Sequence, residues 1–147
     1  MPPVIVDDRL LLSVLLRTEP PGVARIRRHG ALYTTGLWYQ RLCRALGGGR
    51  VAGQLSASLA EAPVPTAAAA LASVIELPPT IGLLSLRDVA WSMGQVLRRH
   101  RLNLIGLEAL CAAMRLGATI CVGERNDGPT LRRAAHEVGV GIRAFGV

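Results

Sequence analysis

Hydrophobic positions along the chain fall into short runs and helix-spaced sets that alternate from end to end. Leu104, Leu107, Leu110, Cys111 and Met114 recur at helical spacing, and Gly117 stands just past the last of them as a stop. Ala118 to Val122 follows as an apolar, partly β-branched run that suits a buried strand, and the polar turn Gly123 to Gly128 closes it. At the other end, Val4-Ile5-Val6 reads as a strand that stops at Asp7-Asp8, and Arg9 to Arg17 reads as the helix after it.

Between these ends the same alternation continues. Val23 to Arg28 is expected to add a helical turn after Pro20-Pro21-Gly22, and Ala31 to Thr34 a second strand. A helix beginning at Thr35 or Gly36 should run to Leu46 and end at the connector Gly47-Gly48-Gly49. Residues 51 to 62 are weakly helical, and Pro63 to Ala72 is an alanine-rich helix. Ser73 to Leu77, closed by Pro78-Pro79, is expected to be the third strand. A long helix spans Leu86 to His100, an amphipathic one Thr130 to Val138, and Val140 to Phe145 is the last strand. The order β-α-β-α-β-α-α-β-α-β predicts an α/β protein with three layers, α/β/α, around a parallel sheet of four or five strands. Neither an internal repeat nor a second domain interrupts it, so residues 1–147 read as one domain.

Composition narrows the picture. Hydrophobic residues are 50% of the chain, enough for a packed core, but aromatics are 3%, so Leu, Val, Ile and Ala must build it. The net charge of +7 rests on 17 basic residues, all arginine, a balance that favours polyanions or acidic protein partners. Composition of the coding sequence explains arginine and alanine richness equally well. Cys43, Cys111 and Cys121 have neither a CxxC pair nor zinc-like spacing, and buried thiols in a reducing cytoplasm are the simpler reading. No apolar stretch is long enough to span a bilayer and no secretory signal opens the chain, so a soluble cytoplasmic protein is expected.

The candidate chemistry is acidic. In open α/β sheets ligands bind beyond the carboxyl ends of the strands, where Asp7, Glu124 and Asp127 should lie. Glu108 sits among Leu107 and Leu110, out of place for a solvated carboxylate. Asp7 is assigned to the site and Asp8 to the helix cap, since adjacent aspartates allow both roles. Clustered carboxylates call for a cation, and oxygen ligands suit magnesium or manganese. The glycine run lacks the Lys-Ser/Thr of a phosphate loop. Neither a Ser-His-Asp order nor a dinucleotide fingerprint is present, and His29, His100 and His136 read as surface residues. Trp38, Tyr39 and Trp91 could stack bases, although aromatics at helical spacing are more often core or interface.

These residues carry a resemblance. The tail LNLIGLEALCAAMRLGATICVGERND with LRRAAHEVGVGIRAF resembles the C-terminal half of a PIN domain. VIVDD and LYTTGLWYQRLCRAL are similar to that family's first strand and its second strand and helix. The resemblance implies a Mg²⁺- or Mn²⁺-dependent ribonuclease of the toxin–antitoxin kind. Asp7, Glu108 and Glu124 would be metal ligands, and Asp127 an assisting acid. RNA and an antitoxin-like protein would be its partners. A homodimer through helices 37–46 and 86–100 is a separate expectation, independent of the resemblance. Two family aspartates are glutamates here, and Val122 stands where the family has threonine. Gln40 or Arg41 stands where a further acid is expected, and an arginine there could neutralise the pocket in place of a metal. A catalytically inactive PIN-like module that binds RNA or a protein is therefore the alternative reading.

Overall fold

The computed structural model describes residues 1–48 and 53–147. Five strands, β1 (Val4–Val6), β2 (Leu32–Thr35), β3 (Ile81–Leu84), β4 (Thr119–Gly123) and β5 (Ile142–Phe145), form one sheet in the order β3-β2-β1-β4-β5. Every pairing is parallel. Parallel strands need crossovers, and helices supply them: α1 (Asp8–Leu15) and α2 (Pro21–His29) lead from β1 to β2. The helices α3 (Gly36–Gly47), α4 (Gln54–Glu61) and α5 (Val64–Ile75) precede β3. Then α6 (Leu86–Leu97) and α7 (Leu104–Leu116) precede β4, and α8 (Pro129–Glu137) leads to β5.

Both faces of the sheet are covered, because the strands alternate between two apolar clusters. Ile5, Ile120 and Val122 face a core shared with α6, α7 and α8. Val4, Val6 and Cys121 face the other, with α1, α2 and α5. Helix α3 bridges the layers, since its Trp38 packs into the first cluster and its Leu42 into the second. The α/β/α sandwich expected from periodicity is the observed architecture.

One strand lies elsewhere than expected. Ser73 to Ile75 belong to α5, and the third strand is Ile81–Leu84, beyond Pro78-Pro79. Nothing in Ala72 to Ile75 breaks a helix, so the alanine-rich segment runs on until the prolines. Gly82 pairs with Tyr33, and a Cβ built on Gly82 would meet the Tyr33 ring at 2.3 Å. The glycine is thus a seat for the aromatic ring on an edge strand. Gly49 of the predicted connector and residues 51–52 of the predicted weak helix lie outside the described residues; Gly47 ends α3. Among the described residues no helix is long and apolar enough to cross a membrane.

Helix ends follow the sequence signals. Gly117 takes the left-handed conformation after α7, with φ of 62°. After α1 that position falls to Arg17, with φ of 59°. Its N–H donates to Val14 O at 3.1 Å, while Thr18 N–H donates to Ser13 O at 2.8 Å, the two bonds of a Schellman motif. A side chain costs free energy there, so Arg17→Gly is expected to stabilise the fold by about 0.5–1 kcal/mol. Chemical denaturation of the two chains measures it; a less stable variant would mean that the arginine side chain holds the turn.

Candidate functional site

The strand order reverses between β1 and β4, and the crevice beyond their carboxyl ends is where open α/β sheets bind ligands. Asp7 follows β1 at that point and is fully buried. It is the N-cap of α1: Oδ1 accepts from Leu10 N–H at 2.8 Å. Its other oxygen, Oδ2, accepts from Gly123 N–H at 2.8 Å and from Asn126 Nδ2 at 2.6 Å, which ties β1 to the end of β4. Burial raises the Asp7 pKa, the three donors pull it back, and the nearby Asp8 charge raises it again, leaving it above the ordinary value.

The cap is Asp7 and not, as expected, Asp8. Asp7 also meets Asn126, and Asp8 turns toward Arg41 and Asn126. Arg41, on α3, grips Asp8 with two bonds, Nε to Oδ2 at 2.5 Å and Nη2 to Oδ1 at 2.9 Å. The same Nη2 donates to Asn126 Oδ1 at 2.9 Å, and Asn126 Nδ2 reaches Asp8 Oδ1 at 3.1 Å. Four side chains, Asp7, Asp8, Arg41 and Asn126, thus form one closed network. The hydrogen bond to Asp8 raises the Arg41 pKa further, so the guanidinium is a fixed positive charge among the acids. Asn126 was not singled out from sequence; only its place in the polar turn after β4 marked it.

Glu108 is buried as expected, at 1% exposure. Its Oε1 accepts from Leu37 N–H, in the first turn of α3, at 2.8 Å. A carboxylate there complements the positive end of the helix. Its Oε2 has no hydrogen-bond partner, and neither has the buried indole Nε1 of Trp38. Gly36 leaves room beside Glu108, since a Cβ built on it would lie 3.5 Å from Oε2.

The other two predicted acids face elsewhere. Glu124 is exposed, and its Oε1 lies 3.7 Å from a Cβ built on Gly146, beyond β5. Asp127 pairs with Arg132 through bonds of 2.6 and 3.0 Å. Among the described residues no three His, Cys, Asp or Glu side chains gather where a cation could sit. The donor set explains why a divalent ion does not fit. Both oxygens of Asp7 already accept hydrogen bonds, both of Asp8 face the Arg41 guanidinium, and Glu108 spends one on a helix end. Magnesium demands near-octahedral oxygen ligands and tolerates little displacement.

Arg41 and Asn126 also face a cavity of about 330 Å³, walled by Trp38 and by the first residues of α7 and α8. Of the other aromatics, Tyr39 donates its hydroxyl to Val74 O at 2.5 Å, joining α3 to α5, and Trp91 stands 82% exposed on α6. Of the cysteines, Cys111 and Cys121 are buried and Cys43 is half-buried; all three are free. Burial pushes the Cys121 thiol up to about 11, so it is inert at neutral pH. Compared with known proteins, the chain matches no protein-family model and no curated protein.

Proposed function

We propose that the protein is a PIN-like module that binds RNA in the cytoplasm without cutting it. The observation that carries this reading is the double bond pair from Arg41 to Asp8, closed by Asn126 onto Asp7. A hydrolytic metal site needs carboxylate oxygens free to bind the ion, and here a side-chain cation and amide donors engage them. What remains at the rim is cationic and hydrogen-bonding. Arg41 and Arg101 border the cavity, and the chain carries a formal charge of +7. Such a surface neutralises phosphates, and affinity then comes largely from counterion release.

The test has two arms. Binding of a short single-stranded RNA should weaken by at least about tenfold between about 50 and 200 mM salt, since each neutralised phosphate releases counterions. The melting temperature should not move with millimolar Mg²⁺ or Mn²⁺, because a ligand that does not bind the folded state cannot stabilise it. A metal-dependent rise in melting temperature, with RNA cleavage that Asp7→Asn abolishes, would overturn the reading and establish a ribonuclease. Salt-independent or absent RNA binding would remove the RNA half of it.

A further inference from the structure

Helix α6 is apolar on two faces. Val89, Met93 and Val96 turn inward and belong to the core. Away from them, Leu86, Ala90, Gly94 and Leu97 follow one another at helical spacing, and all four are exposed. Leu86 stands 49% and Leu97 52% exposed, and Trp91, in the middle of the helix, 82%. A helix that covers a core ordinarily turns charged and polar residues outward, and one that is apolar on both sides is ordinarily covered on both. An outward apolar row of this kind marks an interaction surface.

The row has a shape and a charge. Ala90 and Gly94 leave a shallow trough between the two leucines, and a Cβ built on Gly94 would meet nothing within 4 Å. Small residues at a crossing point let a second helix approach closely. Arg87 and Arg98 flank the row toward its two ends. Neither side chain has an ion-pair or hydrogen-bond partner among the described residues. Asp88 is the one acid of α6, and it already faces Arg115 of α7 at 4.0 Å. The trough is thus apolar along its floor and cationic at its rim.

We infer that this face of α6 docks an acidic amphipathic helix of another protein. The apolar anchors of that helix lie over Leu86, the Ala90–Gly94 trough and Leu97, against the Trp91 ring, and its carboxylates meet Arg87 and Arg98. This is recognition of a helix in a groove, carried by anchors one turn apart. Two other occupants fit less well. A second copy would meet the face isologously. An antiparallel pair that seats Trp91 on the partner's Gly94 sets Arg87 against the partner's Arg98, and like charges so placed repel. Single-stranded RNA would find one ring amid aliphatic side chains, whereas surfaces that hold it present successive aromatics for stacking.

Trp91 supplies the readout, because Trp38, the other tryptophan, is buried. A side-chain-stapled synthetic helix with leucine at helical spacing and glutamate elsewhere is titrated into the full chain. Tryptophan emission should shift to the blue as Trp91 leaves water. A scrambled peptide of the same composition, and a version with lysine for glutamate, should each bind at least about tenfold more weakly. Trp91→Ala, followed by titration calorimetry, should weaken the stapled helix at least about tenfold through loss of a central aromatic anchor. Gly94→Glu fills the trough with a negative charge and should do the same. Its melting temperature should not fall, since its Cβ enters open space and glutamate favours a helix over glycine. Scrambled peptide bound as well as the amphipathic one, variants bound as well as native, or no binding at about 1 mM each overturns the inference. A blue shift that grows with protein concentration alone, and that Trp91→Ala removes, assigns the face to a second copy and overturns it too. So does an oligouridylate that binds at Trp91 more tightly than the stapled helix, which assigns the face to RNA.

Discussion

Replacing Arg41 with methionine is expected to cost the fold about 2–3 kcal/mol, read as a lower urea midpoint at unchanged slope. The Asp8 side chain is 2% exposed and Arg41 supplies two of its contacts. Without the guanidinium, Asp8 keeps only the Arg9 N–H and Asn126 Nδ2 as donors. Breaking a fully buried ion pair costs about 3–5 kcal/mol because the surviving charge stays desolvated. Arg41 is 30% exposed, so water can partly take its place, and the lower figure follows. The double variant Asp8→Asn/Arg41→Met removes the stranded charge and should recover most of the loss. A single variant within about 0.5 kcal/mol of native would show that the pair is solvent-screened and does not balance the site. The same variant carries a functional outcome. With the Asp8 carboxylate no longer countered by a guanidinium, Mg²⁺ or Mn²⁺ should now raise the variant's melting temperature, which it does not do for the native chain in the proposed metal-free role.

That network also shows how far the sequence could be read. Strands β1 and β4 were legible because each is an apolar, β-branched run closed by acids or a polar turn, and α7 because its apolar spacing ends at a glycine. The third strand was not. Pro78-Pro79 looked like the end of a strand, whereas α5 ran on to Ile75 and the strand followed the prolines. Four residues with a central glycine give almost no periodic signal, and what makes Ile81–Leu84 a strand is its pairing with β2. Adjacent acids pose a different problem. Which of Asp7 and Asp8 caps the helix depends on whether α1 begins one residue earlier or later, a shift that hydrophobic pattern leaves open.

Partners at long range were the least legible of all. Glu108 could be flagged because an acid among leucines must have a reason, but its reason is an N–H 71 residues away. Asn126 joins Asp7 across 119 positions, and nothing local distinguishes it from any turn asparagine. Single acids can thus be flagged from one chain, while which of them gather and which cation meets them cannot. An arginine at position 41 was visible as a departure from the PIN pattern; that its guanidinium meets Asp8, next to the residue expected in the site, required coordinates.

Asp7→Ala should be the most damaging change at the rim, costing about 3–4 kcal/mol. The substitution strips a helix cap, worth about 1 kcal/mol, and strands buried donors on Gly123 and Asn126 at roughly 1 kcal/mol or more each. Asp7→Asn keeps one acceptor but turns an amide N–H₂ toward groups that also donate, so it should recover only part of this. The pH dependence separates burial from hydrogen bonding as the dominant influence. Burial holds the Asp7 pKa above the ordinary aspartate value, so between that value and its folded pKa the native state binds more protons than the unfolded chain. Asp7-linked stability is therefore complete below about pH 4 and is lost as pH rises through the folded pKa. The native chain should lead Asp7→Asn by most in mild acid and by least at neutral pH, measured as the difference between their denaturation midpoints. A lead that widened toward neutral pH would mean that the three donors outweigh desolvation and that the carboxylate is held ionised for a charge it has yet to meet.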